Sequence, residues 1–141
     1  MWIYGYRFGP HYYVPSILHC PAYNVHFKPI FLLVDTGATT TTLFAEKIGL
    51  SQQTYENLPL STEVITLGGT KIYRRIRQDV HLIFTTTFPE KLHTITLKGC
   101  DVIRLGEIGI EEPLYDGVLG MDVINRFKSW FATGKFIVFQ T

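Results

Sequence analysis

Apolar residues along this chain fall into short runs and alternations separated by Gly, Pro, Asn and Asp clusters, a strand pattern and not a helical one. Tyr12 to His19 predicts a first strand, interrupted or edged by Pro15, and Pro21 to Asn24 the turn after it. Lys28 to Val34 (KPIFLLV) is a continuous apolar run suited to the centre of a small domain. Ser61 to Leu67, the turn Gly68-Gly69-Thr70 and Lys71 to about Phe84 predict a long hairpin. His93 to Leu97 alternates, turns at Lys98 to Asp101 and resumes at Val102 to Leu105, with Gly106 to Ile110 offering one more short strand. A final hairpin runs from Lys128 to Phe131, through Ala132-Thr133-Gly134, to Lys135 to Gln140. Helical signals are brief. Thr42 is placed to cap a helix over 43 to 48, with Lys47 in its last turn, Gly49 at a left-handed position and Leu50 folding back. Gln52 to Leu60 reads as a loop, and the strand through Asp116 to Leu119 gives way to a short helix for which Asp122 is a candidate cap. Residues 1 to 11, aromatic but broken by Gly5, Gly9 and Pro10, read as an arm lying over a groove or a partner subunit and not as a core strand.

Composition narrows the class. At 141 residues the chain suits a single domain spanning 1 to 141, and 46% hydrophobic with 18% charged residues and a net charge of +1 excludes disordered and polyanion-seeking proteins. No apolar run approaches the length of a membrane span, and MWIYGYRFGPHYY lacks the apolar core of a signal peptide, so a cytoplasmic protein is expected. Cys20 and Cys100 match no metal or haem spacing and read as buried free thiols, a disulfide being the alternative. His11, His19, His26, His81 and His93 form no HExxH, and no Ser or Cys sits in a GxSxG context. No metal or other cofactor is expected. The Arg74 to Arg77 cluster lacks the wider basic face that nucleic acid requires.

The sharpest chemical feature is Asp35-Thr36-Gly37-Ala38, placed directly after the apolar strand. The glycine permits a tight turn that brings backbone N–H groups to the carboxylate, and the Thr36 hydroxyl can tie the site to a neighbouring loop. About eighty residues later comes Gly117-Val118-Leu119-Gly120, followed by Met121 and Asp122. Together with the glycine-tipped hairpin between them, these elements resemble the hallmarks of retropepsin-like aspartic proteases over roughly residues 12 to 139.

That resemblance implies a closed, barrel-like all-β fold with one short C-terminal helix. It implies Asp35 as the catalytic residue, with Thr36, Gly37 and Ala38 supporting its loop and Val118, Leu119 and Gly120 packed beside it. Leu67, Gly68 and Gly69 would form the flap over a peptide substrate, and either glycine could be the contacting one. Asp122 is a structural cap or loop partner and Asp116 a turn residue. Carboxylate-mediated hydrolysis needs two carboxyls, one ionised and one protonated. Asp79, Asp101, Asp116 and Asp122 lie in no second such motif, so the expected enzyme is a homodimer sharing two copies of Asp35. Lys71, Arg74 and Arg75 on the returning flap arm either favour acidic substrates or stand as a solvated edge. The rival from another class is a catalytically silent dimerisation or peptide-binding module.

Overall fold

The computed structural model describes residues 1–66, 69–109 and 113–141. Its strands and helices are, in chain order, β1 (Trp2–Phe8), β2 (His11–Cys20), β3 (Val25–Val34), β4 (Thr42–Phe44), α1 (Gln52–Glu56), β5 (Leu60–Thr66), β6 (Gly69–Ile76), β7 (Val80–Thr86), β8 (Lys91–Leu97), β9 (Cys100–Ile103), α2 (Leu105–Ile108), β10 (Gly117–Leu119), α3 (Met121–Ile124), β11 (Ser129–Ala132) and β12 (Phe136–Gln140). The strands make one sheet in the order β11-β12-β1-β2-β3-β10-β4-β9-β6-β5, with β7 paired to β2 and β8 to β7. Alternate positions feed the core: Val14, Leu18, Leu32, Leu82, Val102 and Phe139 are all fully buried.

The mostly β character stands, but the closed barrel does not: the sheet is open. Its path ends at β11 on one side and β5 on the other. The physical reason lies in β2. Its first residues pair with β1 (Tyr6 with Tyr13) and its last with β7 (Ile17 with Ile83), so the sheet branches there. Pro15, with no N–H to offer a ladder, lies between the two pairings.

Other expectations are corrected too. Residues 2 to 8, expected to be an arm, form β1 in the interior of the sheet order, because Ile3 and Gly5 turn inward while β12 and β2 satisfy the backbone on both sides. The first and last residues therefore lie side by side, with Thr141 N donating to Met1 O at 3.0 Å. Residues 42 to 44 are a strand and not a helix start, since Leu43 and Phe44 are buried between β10 and β9. The helix forms later, within the expected loop, where the Ser51 hydroxyl accepts from Thr54 N at 3.1 Å and Tyr55 is buried. Gly49 does adopt the left-handed conformation, at φ +84°. Residues 105 to 108 are helical instead of extended, so the described residues hold three short α-helices where the family resemblance implies one.

Both cysteines are free and buried. Burial pushes the Cys100 thiol far above its ordinary value of 9.0, and it raises Cys20 as well. A thiol that stays protonated when folded but ionises when unfolded stabilises the fold only while the unfolded form also holds its proton. Stability should therefore be unaffected by these groups below about pH 9 and fall as the pH rises above it. Urea denaturation across that range checks this: wild type should lose stability, and a Cys100→Ala variant, less stable throughout, should show a shallower alkaline decline.

Candidate active site

Three strands and one loop place Asp35. β3 and β10 run parallel, with Leu33 beside Val118 and Val34 beside Leu119, and β10 lies antiparallel to β4 on its other side. The chain leaves β3 at Asp35, loops across the end of β10 and returns as β4. Asp35 N donates to Leu119 O at 3.1 Å, which continues the ladder one residue beyond the strand. Gly37 N donates to the Asp35 carboxylate at 2.8 Å, and Ala38 N to Asp35 O at 3.2 Å, closing the turn. The carboxylate is exposed at the rim of a recess of about 250 Å³ lined in part by Tyr73, Ile103, Tyr115 and Val118.

The loop is locked to the start of α3. Ala38 O and Thr39 O accept from Met121 N (2.8 Å) and Asp122 N (3.2 Å), satisfying first-turn donors that a helix cannot pair internally. Thr41, only 1% exposed, is the centre of the lock. Its hydroxyl accepts from Gly120 N at 3.0 Å and donates to Asp122 Oδ1 at 2.7 Å, and its own N–H donates to the same oxygen at 2.9 Å. Hydrogen bonds to a carboxylate are the stronger kind. Gly120 is required for the fit, because a Cβ there would lie 2.5 Å from Thr40 C and 2.6 Å from Thr40 O.

Of the residues singled out in the sequence, Asp35, Thr36, Gly37 and Ala38 form this loop, and Val118, Leu119 and Gly120 pack along it. Thr36 and Gly37 are exposed, Val118 is half-buried, and Leu119 and Gly120 are buried. Gly69 is exposed at the start of β6, opposite Thr66, with φ +110°. Leu67 and Gly68 lie outside the described residues. Asp122 is a loop partner through Thr41; the cap position of α3 is Gly120. Asp116 accepts from Phe31 N at 2.7 Å, pinning the chain before β10 to β3.

The sequence reading missed Thr40, Thr41, Tyr73 and Asp101. Asp101 is 6% exposed on β9 and accepts from Ser61 at 2.6 Å, Arg75 at 3.0 Å and Thr40 at 3.2 Å, so it joins both arms of the β5–β6 hairpin to the Asp35 loop. A second recess, about 520 Å³, lies beside the first and is lined by Gly37, Tyr73 and Asp101 among others. The hairpin cations point away from either expected role. Lys71 donates to Glu107 O at 3.0 Å, and Arg74 donates to Leu58 O at 2.8 Å while lying over the Tyr55 ring. A further cleft of about 470 Å³, lined in part by Tyr55, Arg104 and Glu107, shares no residue with the Asp35 recess. A run of four threonines after the Asp-Thr-Gly motif was the available signal for Thr40 and Thr41.

The exposed aspartate thus follows β3, beside the apolar-glycine strand β10 and close to the β5–β6 hairpin. No protein-family model matches the chain, and no curated protein matches it. Among solved structures, that of a retropepsin-like aspartic protease from Rickettsia conorii matches with a TM-score of 0.63 and 19% sequence identity, over 99% of this chain and 89% of that one. The fold of this chain is thus related to the retropepsin topology.

Substitutions should separate the two parts of the lock. Thr41→Val, of similar shape, leaves the buried Gly120 N–H without its acceptor, and about 1 to 3 kcal/mol of stability should be lost. Gly120→Ala forces backbone apart, so it should cost more than Thr41→Val. Chemical denaturation of the two variants beside wild type gives both differences.

Proposed function

We propose that this chain is an aspartic endopeptidase that works as a homodimer. The observation that carries the reading is the exposed Asp35 carboxylate, which accepts from Gly37 N while the Asp35 backbone N–H is held by Leu119 O, beside an apolar recess of a size to accept a side chain. In the paired site one Asp35 is ionised and takes a proton from a water molecule, whose oxygen attacks the peptide carbonyl carbon. The other Asp35 is protonated and donates to the carbonyl oxygen. Collapse of the tetrahedral intermediate breaks the C–N bond, and the leaving nitrogen takes a proton from the carboxyl that received one. Binding energy comes from an extended peptide pairing with cleft and hairpin edges.

Within this reading Thr36 ties the two aspartate loops together across the dimer and Gly37 presents backbone to substrate. Ala38 supports the loop, Leu67, Gly68 and Gly69 close over the peptide, and Val118, Leu119 and Gly120 back the site. The free, buried thiols of Cys20 and Cys100 support placing the protein in a reducing compartment such as the cytoplasm.

Asp35→Asn keeps the size of the side chain but removes the ionisable group from both chains. Turnover of a peptide library should fall by several orders of magnitude while dimerisation, measured by sedimentation, persists. Cleavage by Asp35→Asn at the wild-type rate would overturn the assignment. If wild type binds peptides without cleaving them, and equally well with and without the charge, the silent binding module takes its place.

A further inference from the structure

Successive residues of a strand point to opposite faces, and residues paired directly across a ladder point to the same one. Ile3 and Gly5 of β1 face the core, so Trp2, Tyr4, Tyr6 and Phe8 face outward. The pairs Tyr6 with Tyr13 and Tyr13 with Leu33 carry that outward face onto β2 and β3. Along β3, Phe31 and Leu33 share it, and Asp35 continues the alternation. In the other direction Tyr6 pairs with Phe136 and Tyr4 with Val138, and Val138 pairs with Phe131 of β11. One face thus runs from the sheet edge to the aspartate.

That face is apolar where water should meet it. Antiparallel sheets with one solvated side place polar residues outward. Here the outward rings pack in three groups, measured between ring centroids: Trp2 with Phe131 at 6.3 Å, Tyr4 and Tyr6 with Phe136 at 6.1 and 5.9 Å, and Phe8 and Tyr115 with Tyr13 at 6.0 and 5.8 Å, and Tyr115 itself lines the Asp35 recess. A further recess of about 220 Å³ is walled by Phe8, Tyr13, Phe31 and Leu114. Exposures are 42% for Tyr6, 62% for Phe8, 48% for Phe131 and 38% for Phe136, with Phe31 at 46% and Leu114 at 90%. At about 150 to 250 Å² per aromatic side chain, on the order of 500 Å² of apolar surface is left open, at or beyond what a monomer ordinarily shows.

We infer that a second copy of this chain covers this outer face, so that the face is the dimer interface and Asp35 lies at its end. The inference rests on the two-chain enzyme proposed above. A two-fold axis sets the same patch on both partners, and twice this apolar area is on the order of 1,000 Å², the size at which specific protein interfaces begin. The outward positions named are uncharged except for Asp35, so nothing repels a like surface until the carboxylates themselves meet. A peptide substrate bound at Asp35 would cover the near end of the face and leave β11 and β12 bare.

Sedimentation velocity over a range of concentrations, with peptide hydrolysis measured alongside, tests this. Wild type and Asp35→Asn should form the same dimer. Tyr6→Asp and Phe131→Asp should each raise the dimer dissociation constant by about 30-fold or more, with lost hydrolysis recovered at high protein concentration. Leu60→Asp, at a 64% exposed position on the hairpin stem, should leave assembly unchanged. Phe8→Asp, at the exposed end of β1, repeats the test should either strand-centre variant fail to fold by circular dichroism. A wild-type dimer indifferent to Tyr6→Asp, Phe131→Asp and Phe8→Asp would put the interface elsewhere and leave the protease reading intact. A wild-type monomer that cleaves peptide would overturn the shared site and this interface together. A monomer whose face binds vesicles of neutral phospholipid, with binding lost in Phe131→Asp, would assign the face to a membrane surface and overturn the inference.

Discussion

Everything around Asp35 depends on how closely the end of β10 can approach the loop that follows the aspartate. A methyl group at residue 120 would sit 2.5 Å from the Thr40 carbonyl carbon, well inside van der Waals contact. With only hydrogen there, Gly120 N reaches the Thr41 hydroxyl, and the loop carbonyls reach the first turn of α3. Those contacts fix a loop that has few buried side chains of its own. The rigidity of the aspartate is thus borrowed from backbone packing. The neighbouring Gly117 repeats the condition, since a Cβ there would lie 2.5 Å from Thr42 O.

Much of this was legible because it is written in short patterns. The apolar run ending in Asp35 and the glycine-spaced run at 117 to 120 each imply a buried strand meeting a tight turn, and the structure brings them side by side. What was not legible depended on distant partners. Thr42 looks like a cap when only its sequence neighbours are considered, but Leu43 and Phe44 have two strands waiting for them, and burial outweighs a local capping preference. Closure of the sheet failed for a related reason, as no local pattern says that the two halves of β2 will choose different neighbours. The single glycine of β1 misleads in the same way. Gly5 does not break the strand; it makes room where Ile137 and the Tyr13 carbonyl crowd in, at 2.6 and 2.9 Å from where a Cβ would stand.

The hairpin above the site shows how charge can mislead when read without partners. Lys71, Arg74 and Arg75 are half-buried and each donates to a specific oxygen of this chain. They anchor the stem to α2, to the end of α1 and to Asp101, and they do so where partial burial weakens screening by salt. The stem and the aspartate loop therefore share one buried carboxylate. Displacement of the hairpin base would therefore be felt at Thr40.

The adjacency of the two chain ends has a consequence for how the molecule folds. β1 precedes the other described strands in sequence but sits between β12 and β2 in the sheet, so its ladder with β12 must wait for residues 136 to 140. Pairing across nearly the full sequence carries the largest loop-closure entropy the chain can present and belongs to slow, late steps of folding. Until β12 arrives, β1 is paired only with β2, through residues 6 to 8, and its other edge stays open. The β5–β6 hairpin and the strands near it can form early from local contacts, whereas the aromatic sheet is assembled only when synthesis of these residues is complete.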